Sequence, residues 1–104
     1  MLDLPKNSIE LILEAIRSFS SIDEAVVFGS RAKGKKKRGS DIDIAIKGEQ
    51  INLDVVSKLS SLLNEELPLP YYFDIIDYNA IKNEALREHI NRVGQIIFPE
   101  ELNS

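Results

Sequence analysis

The chain has 104 residues, enough for one compact core and too few for most multidomain enzymes. Its 43% hydrophobic and 29% charged residues are those of an ordinary globular domain, which excludes wholesale disorder. With no cysteine and a single histidine, His89, it excludes disulfides, thiolate metal sites, cysteine nucleophiles and multi-histidine metal centres. No apolar run approaches the roughly 20 residues of a membrane span. The start MLDLPKNS lacks the basic region of a signal peptide, so the expected location is the cytoplasm. The net charge of −4 hides a separation: Arg31, Lys33, Lys35, Lys36, Lys37 and Arg38 sit together with no acid among them. Such a patch attracts phosphates or an acidic surface, and its sign alone does not say which.

In chain order, Asn7-Ser8-Ile9-Glu10 reads as a capping box, and Ile9, Ile12, Leu13 and Ile16 follow at one-face spacing. This predicts a helix over 7–19. Residues 24–29 (EAVVFG) are a short apolar run ending in glycine, as in a buried strand. Residues 41–47 (DIDIAIK) alternate strictly, with Ile42, Ile44 and Ile46 on one face and Asp41, Asp43 and Ala45 on the other. Asn52 can cap a second helix with the stripe Val55, Val56, Leu59, Leu62 and Leu63, an Asp54–Lys58 pair on its wet side, and Pro68 and Pro70 to end it. Residues 72–78 (YFDIIDY) predict a third strand. Residues 80–93 predict a helix with Leu86, Ile90 and Val93 aligned and Gly94 as its stop, and residues 95–98 a last short strand. With no repeat or linker, the order α-β-β-α-β-α-β implies one domain over 1–104, a mixed sheet flanked by helices of the α/β or α+β kind.

The chemistry concentrates in residues 28–46, FGSRAKGKKKRGSDIDIAI. On an alternating strand Asp41 and Asp43 project from the same face with Cα atoms about 6–7 Å apart. Two carboxylates that close repel, and the residue between them is isoleucine rather than a compensating base. A divalent cation such as Mg²⁺ or Mn²⁺ resolves the conflict. The plain alternative is a pair of solvated aspartates on an edge strand. Before them, Phe28-Gly29-Ser30 ends a strand and opens a turn in which glycine admits a phosphate to the backbone and Ser30 adds a donor. Together the two features place a phosphate cradle beside a metal site.

GSRAKG followed by SDIDIAI resembles the active-site signature of the DNA polymerase β-like nucleotidyltransferases. The small size, the spacing to a third acidic strand and the closing LREHINRVGQIIF resemble the minimal nucleotidyltransferases, the MNT group, over nearly the whole chain. The resemblance implies the polymerase β-like fold, with Gly29 and Ser30 on the β- and γ-phosphates of a nucleoside triphosphate. Arg31 and Lys33 would contact the triphosphate too, and Ser40 would belong to the nucleotide-binding set. It further implies that Asp41 and Asp43 bind two Mg²⁺ ions and that a third carboxylate on a later strand completes the metal site and activates the attacking hydroxyl. Asp74 matches that third position, with Asp77 as competitor. Three positions apart on one strand, they face opposite ways, so only one can join the site. Asp74 lies mid-run, where an aspartate otherwise lacks a reason, whereas Asp77 can serve the following turn as a local acceptor.

What the MNT resemblance implies functionally is transfer of AMP from ATP to a hydroxyl, typically a tyrosine, of a HEPN-domain ribonuclease toxin, with the chain as antitoxin. No membrane or direct nucleic-acid contact is expected. The other readings are a non-catalytic antitoxin that neutralises by docking and a nucleotidyltransferase for small molecules. The Lys35–Arg38 loop can steer triphosphate, touch an acidic partner or form a solvated turn. His89, one turn from Leu86, reads as a packing or surface residue, and Tyr71, Tyr72 and Tyr78 as ordinary strand packing before base stacking.

Overall fold

The structure, a computed structural model, describes residues 4–28 and 41–99. Its elements are α1 (Lys6–Arg17), β1 (Glu24–Phe28), β2 (Asp41–Lys47), α2 (Leu53–Ser61), a π-helical turn (Leu62–Glu66), β3 (Tyr72–Asp77), a 3₁₀ turn (Tyr78–Ala80), α3 (Glu84–Val93) and β4 (Gln95–Phe98). The strands form one mixed sheet in the order β3-β2-β1-β4. β1 is antiparallel to β2 and β4, while β2 and β3 run parallel, joined by α2 as a crossover. The order inferred from the pattern of residues is the order found. Among the described residues no helix is long and apolar enough to cross a membrane.

Strand alternation gives the sheet two different faces. Ile42, Ile44 and Ile46 of β2 join Ala25, Val27, Phe73 and Ile75 in a core closed by Ile12 and Ile16 of α1 and by Leu59 and Leu63. On the opposite face Val26, Phe28 and Ala45 pack under Ile90, with Leu86, Val93 and Ile76 at the margin. Helix α3 is therefore the cover of the second face, and it is a smaller cover than α1 and α2 give the first.

The boundaries of all three helices depart from expectation. Helix α1 starts at Lys6 behind an extended Pro5, whose carbonyl accepts from Ile9 N–H at 3.1 Å, and no side chain caps it. The capping box at Asn7 is thus not formed: proline already supplies the right φ, and Asn7 lies inside the helix. At its other end the helix stops at Arg17, where the Ser18 hydroxyl donates to the Ala15 carbonyl at 2.6 Å. Asn52 caps α2 as anticipated, accepting from Val55 N–H at 3.0 Å, and Lys58 pairs with Asp54 at 3.2 Å. That helix, however, does not run regularly to Pro68; it widens into the π turn, closed by Leu67 N–H on the Leu62 carbonyl at 3.0 Å. Finally, α3 begins at Glu84 rather than residue 80, because Asn83 Oδ1 accepts from Leu86 N–H at 3.1 Å and fixes the start there.

Gly94 ends α3 where expected, but for a reason of space. A Cβ on it would lie 2.4 Å from Val26 Cγ1 and 2.5 Å from the Ile90 carbonyl oxygen. The chain turns into β4 directly against the sheet, and only a residue without a side chain fits.

Candidate active site

Strands β2 and β3 begin at the same end of the sheet because they are parallel. Their register pairs Asp41 with Tyr72 and Asp43 with Asp74. Register partners on neighbouring strands about 4.8 Å apart stand side by side on one face. Asp41, Asp43 and Asp74 therefore share a face, the one that carries Ala45 and Phe28 and is covered farther along by α3. Asp41 and Asp43 are half-buried and Asp74 is exposed. The apolar packing of α3 on this face, Ile90 with Val26, Phe28 and Ala45, reaches as far as Phe28. Phe28, the register partner of Asp43, packs edge-on against His89 with ring centroids 6.5 Å apart, and this contact marks the boundary between apolar patch and acidic end.

The edge-strand account of Asp41 and Asp43 does not hold. β2 is hydrogen-bonded on both sides, between β3 and β1, so its carboxylates stand on a central strand. Among the described residues no lysine or arginine forms an ion pair with Asp41 or Asp74; the ion pairs are Lys47–Glu24, Lys58–Asp54 and Arg87–Glu84. Three carboxylates thus stand at one end of one face, where positive charge from any source relieves their repulsion. The donor set, carboxylate oxygen throughout, is of the kind that hard divalent ions take. Among the described residues no three acidic or imidazole groups already converge as a closed metal cage. The aspartates share a face and a register, not a point.

Asp77 falls on the other face and is occupied locally. Its Oδ1 accepts from Asn79 N–H at 3.0 Å and caps the 3₁₀ turn. Of the two candidates for a third carboxylate, Asp74 is the one the sheet brings beside Asp43. Gly29, Ser30, Arg31, Lys33, Ser40 and the Lys35–Arg38 loop lie outside the described residues. The strand ends that flank them, Phe28 and Asp41, are both at the acidic end.

The tyrosines behave in three different ways. Tyr71 packs edge-on to Phe73 at 6.2 Å between centroids. Tyr78 lies between Lys47, 4.4 Å from its centroid, and Arg87 at 5.3 Å, and its hydroxyl donates to Asn91 Oδ1 at 2.7 Å. Arg87 is held in turn by the Ile81 carbonyl. Strand packing does not describe Tyr72, which is 61% exposed on the same face as Asp74. A residue the sequence reading passed over is Asn64. Its side chain bonds both polar groups of the Phe73 backbone, beside Asp74, and no sequence motif marks it because the contact depends on the π turn.

A family model described as polymerase beta, nucleotidyltransferase matches residues 10–102. The chain is a polymerase β-type nucleotidyltransferase. This nucleotidyltransferase is 31% identical over 102 residues to the probable protein adenylyltransferase MntA of Haemophilus influenzae, across 96% of its own length and 87% of that protein's. Among solved structures it resembles a toxin–antitoxin complex with AMP-PNP, with a TM-score of 0.72 and 22% identity over 86% of this chain and 72% of that one. It also resembles a complex of tri-AMPylated Shewanella oneidensis HEPN toxin with its MNT antitoxin, with a TM-score of 0.68 and 18% identity over 89% of this chain and 71% of that one. The structural likenesses show a shared fold.

Proposed function

We propose that this nucleotidyltransferase transfers AMP from ATP to a hydroxyl, on a tyrosine, of a HEPN-domain toxin and acts as its antitoxin. The observation that carries the reading is the Asp43–Asp74 register pair, with Asp41 on the same face. Support for the substrate and partner comes from the relatives: an MntA described as a protein adenylyltransferase, an AMP-PNP complex and an AMPylated HEPN toxin with its MNT antitoxin.

Asp41, Asp43 and Asp74 are the residues that would hold Mg²⁺. Bound there, the ions would supply positive charge that stabilises a polyphosphate and its developing leaving group. The chain's own part is positional. A central strand and its parallel neighbour present carboxylates at one end of the sheet, where a second protein can bring a hydroxyl, and Asp74 among them is exposed. The acceptor oxygen forms a bond to the α-phosphorus, and the bond from that phosphorus to the bridging oxygen of the β-phosphate breaks. Pyrophosphate leaves with the electron pair, and Asp74 would take the hydroxyl proton, a role its exposure and its register beside Asp43 support. By the same reading Gly29, Ser30, Arg31, Lys33 and Ser40 bind the nucleotide.

The test is co-expression with a HEPN-domain partner followed by mass spectrometry of that partner. Adenylate on a tyrosine with the native chain, absent with Asp43→Asn, is the expected result, together with loss of protection from the toxin. Protection by Asp43→Asn without adenylate would instead mean neutralisation by docking.

A further inference from the structure

We propose that Asn64 is a positioning residue for this site: its carboxamide pins the outer edge of β3 and so holds Asp74 opposite Asp43. The inference rests on the reading of Asp74 as the third carboxylate. Among the described residues β3 is the outermost strand, paired with β2 on one side only. On the other side Phe73 N–H donates to Asn64 Oδ1 at 2.7 Å, and Asn64 Nδ2 donates to the Phe73 carbonyl at 2.9 Å. A single side chain thus makes the two-bond ring that a neighbouring strand would make. The second N–H of the amide is held by Ser60 Oγ at 3.2 Å, one helical turn earlier, which sets the orientation of the carboxamide plane.

The site of attachment matters more than the bond count. Phe73 is fully buried on the α1–α2 face, and Asp74 follows it on the opposite face. Because side chains alternate with period two, a slip of one residue would carry Asp74 to the wrong side of the sheet. A smaller displacement at an unpaired edge would still separate it from Asp43. The two bonds from Asn64 oppose both movements at the residue before Asp74. The π turn supplies the means: the closure of Leu62 to Leu67 widens the helix end at the residues that face the strand edge. Groups that orient metal ligands commonly change metal affinity when removed, although they touch no metal themselves; Asn64 acts on the ligand's strand, through the backbone of the residue before it.

The probe is Mn²⁺, titrated calorimetrically into the full chain with AMP-PNP present. The variants are Asn64→Leu, Asn64→Asp, Asp74→Asn and the double Asn64→Leu/Asp74→Asn, with circular dichroism to verify folding. Asn64→Leu should weaken Mn²⁺ binding by roughly 10-fold or more, in the range found when orienting partners are removed. Asn64→Asp, which keeps an acceptor for Phe73 N–H, should lose less, and serves if the leucine variant does not fold. In the Asp74→Asn background the leucine change should cost nothing further, because the carboxylate through which it acts is gone. A purely structural asparagine predicts additive losses, and additivity overturns the proposal. So does wild-type affinity in folded Asn64→Leu while Asp74→Asn is weakened, a result that leaves the third-carboxylate reading intact. Unchanged affinity in Asp74→Asn removes that reading, and this proposal with it.

Discussion

Three positions separate Asp74 from Asp77, and on a regular strand that odd number sends their side chains to opposite faces. The proposed function gives each a separate task. Asp77 accepts from Asn79 N–H at the strand end, so Asp77→Ala should cost about 0.5–2 kcal/mol of stability, as for other lost caps, and leave nucleotidyl transfer intact. Asp74→Asn should do the reverse, abolishing transfer with little change in the urea midpoint. Chemical denaturation and a transfer assay on both variants separate the two roles. The distinction was legible in the sequence because alternation needs no tertiary information. The burial of Asn64 against the strand edge was not, because it depends on where a helix end meets a strand nine residues later in the chain. Tyr72 escaped for a related reason: Phe73 and Ile75 on the same strand are buried, so its exposure depends on what covers its own face, which residue pattern alone does not decide.

Among the elements, α3 shows how a cap and a close approach together set a helix. Its apolar stripe Leu86, Ile90 and Val93 was readable, and so was its end at Gly94. Its start was not, since Ala80 to Lys82 have no strong objection to helix; the 3₁₀ turn that takes Ala80 and the Asn83 cap together decide against them. Asn83→Ala should destabilise by about 1 kcal/mol, as for other lost N-caps. Gly94→Ala forces a methyl group to within 2.4 Å of Val26 Cγ1 and should cost about 1–3 kcal/mol, the usual range for overpacking. Thermal or urea unfolding measures both. Because α3 covers the face that carries the carboxylates, the Gly94 variant should also loosen the Phe28–His89 contact at the margin of the site.

For the whole molecule, the sheet does two jobs with its two faces. One is sealed by α1 and α2 into the larger core, where Ile44 is fully buried, and Ile44→Ala should cost about 2–5 kcal/mol with no specific effect on chemistry in the fraction that remains folded. The other is covered, among the described residues, by the short helix α3, whose apolar contacts lie farther along than Asp41, Asp43 and Asp74. The helix–strand order and the inward isoleucines of β2 could be read from residue patterns. The placement of β2 at the centre, which turns Asp41 and Asp43 from possible surface aspartates into a charged patch on an interior strand, came only with the sheet order. Membership of the polymerase β nucleotidyltransferase family agrees with that geometry. The most direct test supplies ATP labelled on the α-phosphate, Mg²⁺ and a HEPN-domain partner to the native chain and to Asp41→Asn, Asp43→Asn and Asp77→Asn. Label on the partner with the native and Asp77→Asn chains, and none with the other two, is the predicted result. Undiminished labelling by Asp41→Asn and Asp43→Asn would contradict the carboxylate site outright.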